Sequence, residues 1–164
     1  MLIVTYGLRG CDVASLRLDN IDWHAGEIHI NQSKTRQPLN LPLTDPVAAA
    51  LIAYLRDARP RTACREIFLT AVAPILPIRR QAVGYAFRFR VRQSGLDIPF
   101  RGVHCLRHSY ATHLLREGVP LKTIGDLLGH RSTESTCVYL RLDLEELREV
   151  ALPLPGSAIQ ESVS

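Results

Sequence analysis

Three glycines set the grain of this chain. Gly95, Gly118 and Gly129 each follow a stretch whose apolar residues recur at helical spacing. A glycine just past such a stretch is a common helix stop, because the residue after the last turn tends to take a left-handed conformation. Arg80 to Ser94, His104 to Glu117 and Pro120 to Leu128 therefore read as successive helices. Ser132 or Thr133 caps a further helix carrying Tyr139, and Asp143 to Ala151 forms the last. Upstream, Thr44-Asp45-Pro46 opens a helix with a capping side chain and a first-turn proline. It runs through Ala48, Leu51, Ile52 and Leu55 as one apolar face and stops before Pro60. Asp12 to Leu18 reads as a short helix. Met1 to Tyr6 reads as the buried last turns of a helix whose beginning is absent, as in a fragment or a reading frame that starts inside an older domain.

One region keeps a different period. Ile21-Asp22-Trp23 and Glu27-Ile28-His29-Ile30 alternate apolar and polar residues around a turn at His24-Ala25-Gly26, and Leu39 to Leu43 alternates again. Pro42 suits an edge or terminal strand position. These segments predict a three-stranded antiparallel sheet with Lys34 on the turn between its second and third strands. The expected fold is mainly α (α+β): a helical domain with one small sheet. Residues 1–152 form the domain and 153–164 a flexible tail. Arg65 to Pro77 is apolar and broken by prolines, and its pattern predicts no element. In the helix from Arg80, Val83, Ala86, Phe87 and Val91 are expected to face inward, with Phe89 as a further candidate. Tyr6, Tyr54, Tyr85 and Tyr110 fit inward helix faces.

The chain of 164 residues is long enough for one domain with a core, and 46% apolar against 22% charged residues excludes a disordered polyelectrolyte. A net charge of +4 favours an anionic partner only weakly. The distribution says more, since Arg79, Arg80, Arg88, Arg90 and Arg92 crowd one stretch with Asp97 alone nearby to oppose them. Phosphate contacts supply most sequence-independent affinity for DNA. Arg36, Arg79, Arg80, Arg88, Arg92 and Arg131 are the candidate DNA-contacting residues. No two of Cys11, Cys64, Cys105 and Cys137 have Cys-x-x-Cys spacing. Neither a leader peptide nor a run of spanning length stands out, so a reduced cytoplasmic protein with free thiols, away from membranes, is expected.

The chemistry concentrates in His104-Cys105-Leu106-Arg107-His108, followed by Gly129-His130 and then Tyr139. Displacement at a phosphodiester places extra negative charge on the non-bridging oxygens, and paired guanidinium donors match those oxygens. Arg9 and Arg107 are the candidates. A phenol with a pKa of about 10 is ionised only to about one part in a thousand at neutral pH, so a nucleophilic tyrosine needs cations or an imidazole beside it. His104 lies three residues before Arg107 on the same helix face, and His130 follows a helix-ending glycine. The departing hydroxyl needs a proton, which Lys34 on its hairpin could supply.

These residues resemble the tyrosine recombinases, also called phage integrases. The resemblance rests on Thr5-Tyr6-Gly7-Leu8-Arg9-Gly10-Cys11-Asp12, on Lys34, on His104-x-x-Arg107-His108-Ser109-Tyr110-Ala111-Thr112-His113, on Leu127-Leu128-Gly129-His130 and on Tyr139. Order and spacing agree up to about residue 150. The resemblance implies a catalytic domain of the DNA breaking-rejoining type. In it Arg9 and Arg107 clamp the scissile phosphate, Lys34 is general acid to the leaving hydroxyl, His104 is a general acid/base, and His130 holds the phosphate. Tyr139 attacks to give a 3′-phosphotyrosyl bond. Asp12, where the family more often has Glu, supports Arg9, and His108 supports the site by packing. No metal, ATP or other cofactor is implied. The implied partners are double-stranded DNA and further recombinase subunits, in a tetramer on the DNA, with the helix after Tyr139 docking on a neighbour. The family normally has an amino-terminal DNA-clamping domain and one or two more helices before the Arg9 motif, which are expected to be missing here, and Leu140-Arg141 stands where many relatives have Thr-His.

Three rival readings have distinct signatures. A type IB topoisomerase-like enzyme shares the chemistry and would relax supercoils as a monomer. A non-catalytic DNA-binding remnant would retain DNA without forming adducts. A histidine-based metal hydrolase is disfavoured, because His104, His108 and His113 lack a carboxylate at the right offset.

Overall fold

The computed structural model describes residues 1–32, 38–95 and 102–129. Among the described residues, six α-helices and three strands follow in the order α1 (Leu2–Tyr6), α2 (Gly10–Ala14), β1 (Ile21–Asp22), β2 (Glu27–Asn31), β3 (Pro38–Pro42), α3 (Asp45–Ala53), α4 (Arg80–Ser94), α5 (His104–Arg116) and α6 (Leu121–Leu128). The mainly helical class with one small sheet holds. The sheet is antiparallel in the order β1-β2-β3, with Ile28 opposite both Ile21 and Leu41. That register follows from the alternation: Ile28 and Ile30 point into the core while Glu27 and His29 point away from it.

The main core gathers Leu2, Ile3, Tyr6, Leu8, Val13, Leu16, Ile28, Ile30, Val47, Leu51 and Ile67. Thus α1, α2, the sheet and α3 share one interior. A second cluster of Ala111, Ile124 and Leu128 joins α5 to α6. Contact between α1 and α5 links the two clusters. The helix stops fall at the anticipated glycines, Gly95, Gly118 and Gly129, each at positive φ.

Four expectations need correction. The helix expected at Asp12 to Leu18 is α2, ending at Ala14, with a separate 3₁₀ turn at Leu18–Asn20. Arg17 breaks the run by pairing its backbone N–H with the Asn20 side chain. In α3 the buried face is Val47 and Leu51, whereas Ile52 is 48% exposed. Residues 47 and 51 are four apart and stack on one side, and 52 lies about 100° round from 51. In α4 no residue is fully buried: Val83, Phe87 and Val91 are half-buried, but Ala86 is exposed. Tyr85 and Phe89 are also exposed, at 64% and 58%. The stretch 65–77 enters the core through Ile67 and Leu69, held by bridges from Arg17 to Glu66 and from Leu69 to Pro77.

Gly7 ends α1 at φ +64°, and a Cβ built there would lie 2.5 Å from Cδ1 of Tyr110. Both the left-handed backbone and the ring oppose a side chain. Gly7→Ala is expected to lose about 1–2 kcal/mol to the backbone and about 1–3 kcal/mol more to repacking. That corresponds to a Tm lower by roughly 5–15 °C in a chain of this size. Gly26→Ala is the control, because Gly26 has φ +67° but nothing within 4 Å of its added Cβ. Thermal melts of the two variants should therefore separate the ring's contribution from the backbone's, and equal melting points would remove the ring from the account.

Candidate active site

Arg9 and Arg107 are 98 positions apart in the chain, yet they meet at one structural feature, the carboxyl-terminal end of α6. Arg9 is the residue that leads into α2, in extended conformation. Its Nη2 donates to the carbonyl of Gly129 at 2.7 Å. Its Nη1 is buried without a hydrogen-bond partner among the described residues. Arg107 lies in the first turns of α5 and is 7% exposed. Its Nη1 donates to the carbonyl of Gly7 and its Nη2 to that of Leu128. The local logic is simple. The last carbonyls of a helix lack intrahelical donors and carry the negative end of the helix dipole, so guanidinium groups are favoured there.

A third side chain joins them, one that the sequence reading passed over. Gln32 follows β2 directly, is 4% exposed, and donates from Nε2 to the carbonyl of Leu127 at 3.4 Å. Successive carbonyls at 127, 128 and 129 are therefore bound by Gln32, Arg107 and Arg9. The signal for Gln32 was present in the strand alternation, since 28, 30 and 32 fall on one face and all three are buried.

The other described candidates lie on α2 and α5. Asp12 is 2% exposed in the first turn of α2, three residues beyond Arg9. His104 is exposed as the first residue of α5, and His108, one turn on, is half-buried. Burial, followed by the nearby charges of His104 and Arg107, holds the His108 imidazole below its ordinary range and favours its neutral form. Lys34, Arg36, His130, Arg131 and Tyr139 lie outside the described residues.

The remaining tyrosines have other occupations. The Tyr6 hydroxyl donates to the carbonyl of Pro42 at 2.6 Å and accepts from the amide of Thr44 at 3.2 Å. Tyr54 accepts from the amide of Leu69 at 3.3 Å. Burial, and then Tyr6, pushes the Tyr110 phenol up, which opposes its ionisation. Tyr85 faces outward beneath the Arg88 guanidinium, 4.6 Å from the ring centre.

The arginines of α4 stand exposed: Arg79 leads in, and Arg80, Arg88, Arg90 and Arg92 lie along it with no acidic residue in the first turn. Arg79 and Arg80 lie at the positive end of the helix dipole. That position costs stability and suits an anion-binding role instead.

The sequence profile described as "Phage integrase family" matches residues 1–146. The chain belongs to the phage integrase family. It is 44% identical over 159 residues to the putative integrase/recombinase y4gC of Sinorhizobium fredii, covering 96% of this chain and 82% of that protein. It is 35% identical over 156 residues to the tyrosine recombinase XerD of Mycobacterium tuberculosis, covering 91% of this chain and 48% of that protein. Among solved structures, the XerH site-specific recombinase bound to palindromic difH substrate, in its post-cleavage complex, superposes with a TM-score of 0.71 at 23% identity. That match covers 91% of this chain and 42% of the XerH chain. This last likeness shows the fold. The chain therefore spans most of one relative and under half of the other two.

Proposed function

We propose that residues 1–152 form the catalytic domain of a tyrosine site-specific recombinase that cuts and rejoins duplex DNA through a 3′-phosphotyrosyl intermediate, with 153–164 as a tail. The observation that carries this reading is the convergence of Arg9 and Arg107 on one helix end, with buried donor capacity remaining on Arg9. Two forked cations brought together from distant segments suit the paired non-bridging oxygens of one phosphate.

In the proposed reaction the phenolic oxygen of Tyr139 forms a bond to phosphorus, and its proton passes to His104. The bond from phosphorus to the 5′ oxygen breaks, and its electron pair leaves on that oxygen. Lys34 donates the proton that makes the 5′-hydroxyl and becomes a neutral amine. Arg9, Arg107 and His130 hold the charge on the non-bridging oxygens. Asp12 and His108 support this set from the buried side. Attack by a 5′-hydroxyl of a partner strand reverses the steps. The ester keeps the bond energy, so the scheme needs no metal or nucleotide.

The exposed arginines of α4, together with Arg36 and Arg131, would contact the DNA backbone. The working form would be a tetramer on DNA, in the cytoplasm. Among the described residues no helix is long and apolar enough to cross a membrane.

The test is adduct formation on a nicked duplex whose cleaved 5′ fragment diffuses away and cannot religate. The chain should become covalently joined to the DNA 3′ end, in a product stable to detergent and formed equally in chelator. Salt-sensitive DNA retention without any adduct would make the chain a binding remnant. Relaxation of supercoiled plasmid without strand exchange would make it topoisomerase-like. Either result overturns the proposal.

A further inference from the structure

The geometry points to Gln32 as a positioning residue for the phosphate clamp: it braces Gly129, the glycine whose carbonyl holds Arg9. The inference rests on the recombinase reading above and deepens it.

A polar side chain that is 4% exposed needs a partner inside. Gln32 lies in neither cluster of buried apolar residues. Its described contacts reach the carboxyl-terminal end of α6. Nε2 donates to the Leu127 carbonyl at 3.4 Å. A Cβ built on Gly129 would fall 1.6 Å from Oε1 of Gln32 and 2.4 Å from its Cδ, so the amide lies directly against that glycine. Gly129 ends α6 in a left-handed conformation, at φ +59°. Glycine is the most permissive residue type, and nothing in its own backbone holds it in one conformation. Yet its carbonyl is the one that receives Arg9 Nη2 at 2.7 Å. The position of Arg9 Nη1, buried without a partner among the described residues, follows from that bond. A carbonyl that aims a phosphate-binding cation therefore needs a brace, and Gln32 supplies it. The hydrogen bond to Leu127 fixes the amide, and the fixed amide presses on Gly129. The brace itself stands on a packed support: Gln32 directly follows β2, whose Ile28 and Ile30 are in the main core. An error of about 1 Å in the placement of a group that binds the reacting centre costs about 100-fold in rate.

The test compares two duplexes that differ at one position. The scissile phosphate, located by adduct formation with the parent chain, is intact in one duplex and replaced by a methylphosphonate in the other. A methyl group in place of a non-bridging oxygen removes the charge that the two guanidiniums face. Binding is measured in a Tyr139→Phe background, which lacks the nucleophile. This background is expected to bind the charged duplex at least about 10-fold more tightly than the neutral one. Gln32→Met keeps length and bulk but removes the donor. Added to the background, it is expected to cut that preference to about 3-fold or less and to change affinity for the neutral duplex by less than about 3-fold. With Tyr139 restored, Gln32→Met is expected to cleave roughly 10- to 100-fold more slowly than the parent chain.

Equal weakening on both duplexes would overturn the proposal, since Gln32 would then serve folding or general DNA affinity. An unchanged preference for the charged duplex would overturn it too. The two affinities come from one preparation, so an unfolded fraction cancels from their ratio. Gln32→Leu provides a second variant without the donor towards Leu127, and it should lose the preference likewise. A Tyr139→Phe background with no preference for the charged duplex would refute the arginine clamp and the brace with it. A parent chain that forms no adduct would refute the recombinase reading itself.

Discussion

Tyr139→Phe is expected to form no covalent adduct on a nicked duplex while still retaining DNA. The change removes one oxygen atom and leaves the ring, so folding and phosphate contacts should persist and only the nucleophile is lost. The remaining tyrosines offer no substitute. Tyr6 and Tyr54 are engaged with backbone groups of other segments. Tyr110 resists ionisation through burial. Tyr85 stands out in solvent under Arg88. Gel analysis after detergent treatment reads the outcome directly. Adduct from the phenylalanine variant would place the attacking oxygen elsewhere and remove Tyr139 from the mechanism.

The second large effect is expected at Arg107, where one side chain serves two ends. Its guanidinium spans from the Gly7 carbonyl to the Leu128 carbonyl, so Arg107→Ala leaves both acceptors buried without that donor. At about 1–3 kcal/mol for each of the two orphaned groups, the loss of stability is roughly 2–6 kcal/mol. The same residue is proposed to bind the charge that develops on phosphate. Loss of one such donor typically lowers the rate by about 100- to 1,000-fold, and a whole guanidinium should cost at least that. Arg107→Lys retains the charge without the planar fork. It should recover part of the melting temperature and much less of the cleavage rate. Melting curves and single-turnover cleavage, measured on the same preparations, check the split. Cleavage by Arg107→Ala within about 10-fold of the parent would be incompatible with a phosphate clamp.

How much of this could be read from the residues alone depends on which physical rule governed each place. The stops at Gly95, Gly118 and Gly129 were legible because a helix end imposes a local conformation that few residues take well. The sheet was legible because period-two alternation has few other meanings. Ile52 was misplaced because a run of neighbouring apolar residues does not say which of two faces is buried; Val47 and Leu51 are the ones that enter the shared core. Tyr85 and Phe89 were misplaced by treating aromaticity as a sign of the interior, where α4 displays them among arginines. At the site, Arg9 and Arg107 stood out by spacing from their companions, yet their immediate partners were beyond reach. Those partners are main-chain carbonyls, which every residue possesses, so no letter in the sequence marks them. Gln32 was available through strand parity, but a glutamine among polar hairpin residues attracts no notice until its burial is known.

That dependence on main-chain oxygens has an evolutionary corollary. Replacing the leucines at 127 and 128 with other residues leaves their carbonyls in place, so the composition of this segment is free to drift as long as its packing is met. Deleting or inserting one residue within α6 is another matter. The helix turns about 100° per residue, and a single indel would swing a different set of oxygens towards the two guanidiniums. Length, more than identity, is what natural selection must guard between Gly118 and Gly129, and a lineage could rewrite most of those letters while never changing their number.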